Sequence, residues 1–147
     1  MAELENLNFE SLKRNGNTVN ENMIYVCQRC SALYSSVGYF GEAVDKRNSG
    51  QAMSAASKIA GRHLQDFSLK KSNELGLPLS HEQNVEVIMG FFDEYYDVLL
   101  GGLLPQNTSF LSMIENDLKF CERLYINKKF TDRERELMYE ELKRRLN

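Results

Sequence analysis

Between Ser80 and Gly102 the chain reads SHEQNVEVIMGFFDEYYDVLLGG, a run whose spacing suits a helix far better than a strand. Ser80 and Gln83 form an S-x-x-Q capping box at its start, and Gly101-Gly102 supplies a stop. At the helical repeat, Val85, Ile88, Met89, Phe92, Tyr95, Tyr96, Leu99 and Leu100 fill one broad arc, and Val87, Phe91 and Val98 a second. Glu86, Gly90, Asp93, Glu94 and Asp97 share what remains, an arc roughly 100° wide. A helix so apolar demands other elements around it. The stretch of about Ser80–Leu100 is therefore expected to be the central helix of the fold, with Phe92 fully buried. It is too short and too charged to cross a bilayer.

The rest of the chain supplies the wrapping. Leu4, Leu7, Phe9 and Leu12 predict a short N-terminal helix or docking arm within 1–17. Thr18 with Glu21 forms a second capping box, opening a helix to about Tyr39 with Met23, Val26, Cys27, Cys30, Leu33, Tyr34 and Val37 inward. Gly38, Gly41 and the run Lys46–Gly50 read as a frayed end and a loop. The next helix is expected over about Gln51–Leu75, with Ala52, Met53, Ala56, Ile59, Ala60, His63, Leu64 and Phe67 on one side. Its small residues suit a close helix–helix approach, and Gly76 and Pro78 end it.

Beyond the central stretch, Pro105–Thr108 connects to a helix from about Ser109 to Tyr125, with Phe110, Leu111, Ile114, Leu118, Cys121 and Tyr125 inward. Thr131 with Glu134 opens a terminal helix over 131–147, acidic early and basic late, which complements the macrodipole. Nothing alternates at period two, and no repeat is visible. The expected architecture is all-α, a single domain over 1–147 built as a bundle of five or six helices.

Composition narrows the function classes. A net charge of -3 offers no electrostatic case for a nucleic-acid partner. MAELENLNFE has neither a basic n-region nor an apolar h-region, so no signal peptide is expected. Three cysteines, an odd number, argue against a disulfide framework and for a reducing, cytoplasmic setting. In Cys27-Gln-Arg-Cys30 both cysteines fall about two turns into a helix on its apolar face, where thiols are poor nucleophiles. A zinc site would need two more ligands from Cys121, His63 and His81, so core packing is the expected role and no metal or cofactor is expected.

His63 with Asp66 could orient an imidazole as a general base, but no nucleophile is placed beside it by sequence, and no catalytic residue is assigned. Glu86, Asp93 and Asp97 share a stripe without the Glu-x-x-His partners of a di-metal site, so they read as a solvated face or a surface for basic partners. The many rings leave an apolar ligand pocket open as a reading, lined by His63, Phe67, Phe91, Phe92, Tyr95 and Tyr96.

The run Ile59–Phe67, IAGRHLQDF, with Ser72-Asn73 following, resembles the helix opening of the core subunits of the TRAPP tethering complex. FFDEYYDVLLGGLLP and SFLSMIENDL are similar to that family's next helix and strand. The resemblance implies vesicle tethering, or an acyl chain held in a tunnel. No cysteine follows Ser72-Asn73, where the family's acylated residue would stand.

The leading expectation is a non-enzymatic, cytoplasmic helical module, regulatory in character, that binds another protein. A second copy of itself could meet it through Leu137, Met138 and Tyr139 of the terminal helix, whose apolar stripe is thin and whose Leu137 lies off that stripe. The alternatives are a ligand-sensing bundle holding a lipid-like molecule beside the central helix, and a metal or thiol enzyme using His63 or the cysteines.

Overall fold

The computed structural model describes residues 6–8, 19–77, 79–101 and 109–126. Among these, four helices follow one another: α1 (Val19–Val44), α2 (Asn48–Glu74), α3 (His81–Gly101) and α4 (Ser109–Ile126). The all-α class holds, with four helices where five or six were expected. The capping box at Thr18, the arm residues other than Leu7, and the terminal helix with Leu137, Met138 and Tyr139 lie outside the described residues. SFLSMIENDL falls wholly in α4, so the strand implied by the tethering-family resemblance is a helix.

The helix around which the others gather is α1. Every residue from Val26 to Leu33 is buried, more than two turns, so no face of that segment meets water. It packs against α2, α3 and α4, most extensively against α2. By contrast α3, the stretch expected at the centre, buries Asn84, Ile88, Tyr95 and Leu99, a single face at helical spacing. Val87, Met89 and Leu100 are exposed, and Phe92 is half-buried rather than enclosed. Apolar content measured what α3 could bury, whereas the neighbours available decided what it does bury.

Why α1 sits so close to α2 is written in small residues. The two helices form an antiparallel pair: Ser31 and Ser35 face Gly61, while Gly38 and Gly41 face Ser54 and Lys58. Ser31 Oγ donates to the Gly61 carbonyl at 2.6 Å. A Cβ on Gly61 would lie 2.9 Å from the Ser31 carbonyl oxygen, and one on Gly38 would lie 2.9 Å from that of Ser54. The glycines expected to fray α1 near Tyr39 are thus interface positions, and the helix continues to Val44. Gly61→Val should cost about 1–3 kcal/mol by overpacking this contact. Thermal unfolding would read the loss, and an unchanged midpoint would show that the helices have room to part.

The turns hold the remaining order. Asp45 takes the Arg47 backbone N–H at 3.1 Å and its guanidinium at 2.7 and 2.9 Å, fixing the corner between α1 and α2. This pair holds the exposed Asp45 carboxyl well below its usual range, at about 2. At the end of α2, Gly76 adopts φ 69°, the left-handed conformation that closes a Schellman motif. Leu77 N–H reaches the Ser72 carbonyl at 3.0 Å and Gly76 N–H that of Asn73 at 3.1 Å. The capping box of α3 forms in both directions: Gln83 N–H to Ser80 Oγ at 3.1 Å, Ser80 N–H to Gln83 Oε1 at 2.9 Å.

Candidate functional site

Two places concentrate side-chain chemistry: a polar knot inside the bundle and an aromatic cleft on its surface. The knot begins with Arg29, in the middle of the all-round-buried segment of α1 and 1% exposed. A guanidinium there requires a counter-charge and a partner for each N–H, because a lone buried ion is heavily penalised. Asp117 of α4, fully buried, supplies the charge: Arg29 Nη2 donates to its Oδ2 at 2.8 Å. Tyr95 of α3 accepts from Arg29 Nε and Nη2 at 2.9 and 2.8 Å and donates to Asp117 Oδ2 at 2.6 Å. Tyr25 accepts from Nη1 at 2.9 Å.

Asp117 Oδ1 in turn takes the Leu7 backbone N–H at 2.9 Å and Asn116 Nδ2 at 2.8 Å. Residues 6–8 are thereby tied to the same knot, and Leu7 is buried. Burial pushes the Tyr95 phenol well above its ordinary value, with Arg29 pulling down and Asp117 pushing up. It therefore stays protonated and serves as the donor to Asp117. For Arg29, burial works against the charge, but the tyrosines outweigh it and the guanidinium is held more firmly protonated than usual.

One residue along, Cys30 is joined to Cys121 of α4, with Cα atoms 5.5 Å apart. This corrects the expectation that an odd cysteine count argues against a disulfide framework and that Cys30 serves core packing as a thiol. Two of the three pair, and Cys27 remains outside the bond, buried one turn away on α1. No group of three or more His, Cys, Asp or Glu side chains among the described residues is arranged to hold a metal. A second knot lies between α1, α2 and α3, where Asn84 Oδ1 accepts from Gln28 Nε2 at 3.1 Å and Ser68 Oγ at 3.2 Å, and Asn84 Nδ2 donates to the Gln65 carbonyl at 3.1 Å.

The cleft lies on another side of the molecule. Tyr39 of α1 meets Phe92 of α3 edge-on at 6.0 Å, Phe92 stacks on Tyr96 at 5.6 Å, and Tyr96 meets Phe40 edge-on at 6.1 Å. The row is continuous, and Tyr39 at its end is 54% exposed. Beside it a recess of about 400 Å³ is lined by Ser35 and Tyr39 from α1, Lys58, Arg62 and Gln65 from α2, and Ile88, Met89 and Phe92 from α3. Lys58 Nζ stands 4.8 Å above the Tyr39 ring and is bonded to Glu42.

Of the six residues read as a ligand pocket, the recess takes Phe92, with Tyr96 stacked behind it. Tyr95 is spent in the knot, and Phe91 turns to Tyr25, edge-on at 5.6 Å. His63 and Phe67 are half-buried on α2 outside the lining. Met53, expected on the inward side of α2, is 72% exposed. Glu86, Asp93 and Asp97 are exposed, as a solvated face requires. Sequence reasoning passed over Arg29, Asp117 and Lys58. A signal for two of them exists: Arg29 and Asp117 are charges set within apolar stripes, the latter three residues after Ile114 and four before Cys121.

No described helix is long and apolar enough to cross a membrane. Comparison with protein-family models, curated proteins and solved structures finds no match to this chain.

Proposed function

We propose that the chain is a non-enzymatic helical module that binds another protein through the aromatic row between α1 and α3, and that a second copy of itself is the partner this face fits. The observation that carries the reading is the continuous run Tyr39–Phe92–Tyr96–Phe40, open to solvent at Tyr39 and extended by Met89, which is 46% exposed. Exposed aromatic and methionine side chains are the residues that protein interfaces enrich. The groups best suited to catalysis, Arg29, Tyr95 and Asp117, are paired with one another behind the protein surface.

Charge favours self-association. Lys58 and Arg62 line the recess from α2, and on α3 the exposed Glu86, Asp93 and Asp97 come next around the helix after Met89 and Tyr96 at the helical repeat. A two-fold axis running along the cleft sets each basic flank against the partner's acidic one, the self-complementarity of an isologous contact. A regulatory role would follow from such docking. A cytoplasmic location forms no part of the proposal, since the Cys30–Cys121 bond removes the support that the cysteine count lent it.

Sedimentation velocity at low salt tests the reading. The parent is expected to dimerise, with Met89→Glu and Tyr39→Glu each weakening association about tenfold or more, as a buried charge in an apolar contact does. Both positions are exposed, so helix content should not change. A parent that stays monomeric at high micromolar concentration ends the self-association reading.

A further inference from the structure

The recess beside the aromatic row is lined by two uncharged polar groups that the protein itself does not answer. We infer that it is a binding site for a small, flat, uncharged ring system with an amide-type edge, a donor beside an acceptor. The Ser35 hydroxyl and the Gln65 side-chain amide have no hydrogen-bond partner among the described residues. Both residues are half-buried, where an unpaired polar group is costly. The Gln65 carbonyl is taken by Ser68 Oγ at 2.7 Å and Asn84 Nδ2 at 3.1 Å, which fixes the residue by its backbone. Ser35 Oγ packs against Gly61, 2.3 Å from where a Cβ there would lie, and Gln65 follows Gly61 by one turn of α2. Hydroxyl and amide therefore share one stretch of the α1–α2 seam, where a single compact polar edge can meet both.

The rest of the lining selects against charge. Lys58 is bonded to Glu42 and stands over the Tyr39 ring, and Arg62 is engaged within the protein as well. An anion entering the recess gives up its water without meeting an unanswered cation. Ile88, 4% exposed, together with Met89, Phe92 and Tyr39, makes the remaining lining apolar. The Tyr39 and Phe92 rings meet at 81°, a corner that a flat ring fills with its face on one and its edge on the other. The volume of about 400 Å³ falls within the range of small-molecule sites. A bare hydrocarbon leaves Ser35 and Gln65 unpaired.

The site does not depend on the self-association proposed above, and its test uses the full chain at a concentration where sedimentation shows a monomer. The probes are three flat bicycles at pH 7.5: 2-quinolone, with an amide edge, quinoline, with an acceptor alone, and the anion quinoline-2-carboxylate. Binding is followed by perturbation of backbone amide resonances. Quinolone should bind about tenfold tighter than quinoline, the difference that one or two net hydrogen bonds supply. The carboxylate should bind no tighter than quinoline. Shifts should centre on Ser35, Gln65, Met89 and Phe92. Ser35→Ala and Gln65→Leu should each erase much of the quinolone preference while leaving the unfolding midpoint and quinoline binding in place. Equal affinity for quinolone and quinoline, no shifts at millimolar quinolone, tightest binding by the carboxylate, or full quinolone affinity in the Ser35→Ala/Gln65→Leu double variant would overturn the assignment.

Discussion

Asp117→Ala should remove about 3–5 kcal/mol from the unfolding free energy, since it strands a buried guanidinium without its counter-charge. Arg29 loses its ion-pair partner at 2.8 Å, and the Tyr95 hydroxyl loses its acceptor at 2.6 Å. The Leu7 N–H and the Asn116 amide lose theirs as well. A domain of this size is stable by only about 5–15 kcal/mol, so the variant should sit near its unfolding midpoint in mild urea. The informative companion is the combination Arg29→Met, Tyr95→Phe and Asp117→Leu. Replacing a buried ionic cluster by apolar groups of similar volume is often neutral or stabilising, so this triple variant should recover most of the loss. If Asp117→Ala costs less than about 1 kcal/mol, the knot is not carrying a buried charge. If the triple variant is as unstable as the single one, geometry rather than charge is the cause.

The second large effect belongs to the bond beside it. Cys30 and Cys121 are separated by 91 positions, so their bond closes a loop spanning most of the described chain. The chain-entropy argument assigns such a closure about 4–5 kcal/mol. Cys121→Ser should lower stability by that order in urea unfolding, and the fully reduced parent should fall to the same level. Reductant should then have no further effect on Cys121→Ser. A parent whose unfolding curve is the same with and without reductant would mean that the crosslink forms no part of the stable protein. Because both sulfurs are fully buried, reduction should be slow until the molecule opens, and the equilibrium comparison requires reduction in urea first.

How much of this was legible in the sequence differs from element to element. The helices α2, α3 and α4 were readable within a few residues, because Ser80 with Gln83 and Gly76 are local signals acting on their own neighbours. The extent of α1 was not, since Gly38 and Gly41 look like helix breakers until the proximity of Ser54 and Lys58 on α2 explains them. The centre of the fold was misplaced for a related reason. Hydropathy ranks α3 above α1, yet α1 buries Gln28, Arg29 and Ser31 by giving each a partner on another helix. Partners across a fold are tertiary facts that no local pattern contains.

The candidate site divides the same way. Phe92 and Tyr96, four residues apart on one helix, could be grouped by spacing, as could Lys58 and Arg62. That Tyr39 would meet Phe92, and that Tyr95 would leave the same arc to serve Arg29, depended on how α1 lies between its neighbours. The cysteines show the limit most plainly. Counting three excludes full pairing but says nothing about whether two of them meet.

The order in which the chain leaves the ribosome gives the position of α1 a further meaning. Its contacts with α2 are local: the two helices can zip together through Gly61, Ser54 and their serine partners while the rest is still being made. Its two strongest ties, Arg29 to Asp117 and Cys30 to Cys121, wait for α4, the last helix described. Until then the Arg29 guanidinium lacks its counter-charge and the Cys30 thiol its bonding partner. Nascent chains halted before residue 117 should therefore be held by chaperones or clipped by proteases, and those extended well past residue 121 should not.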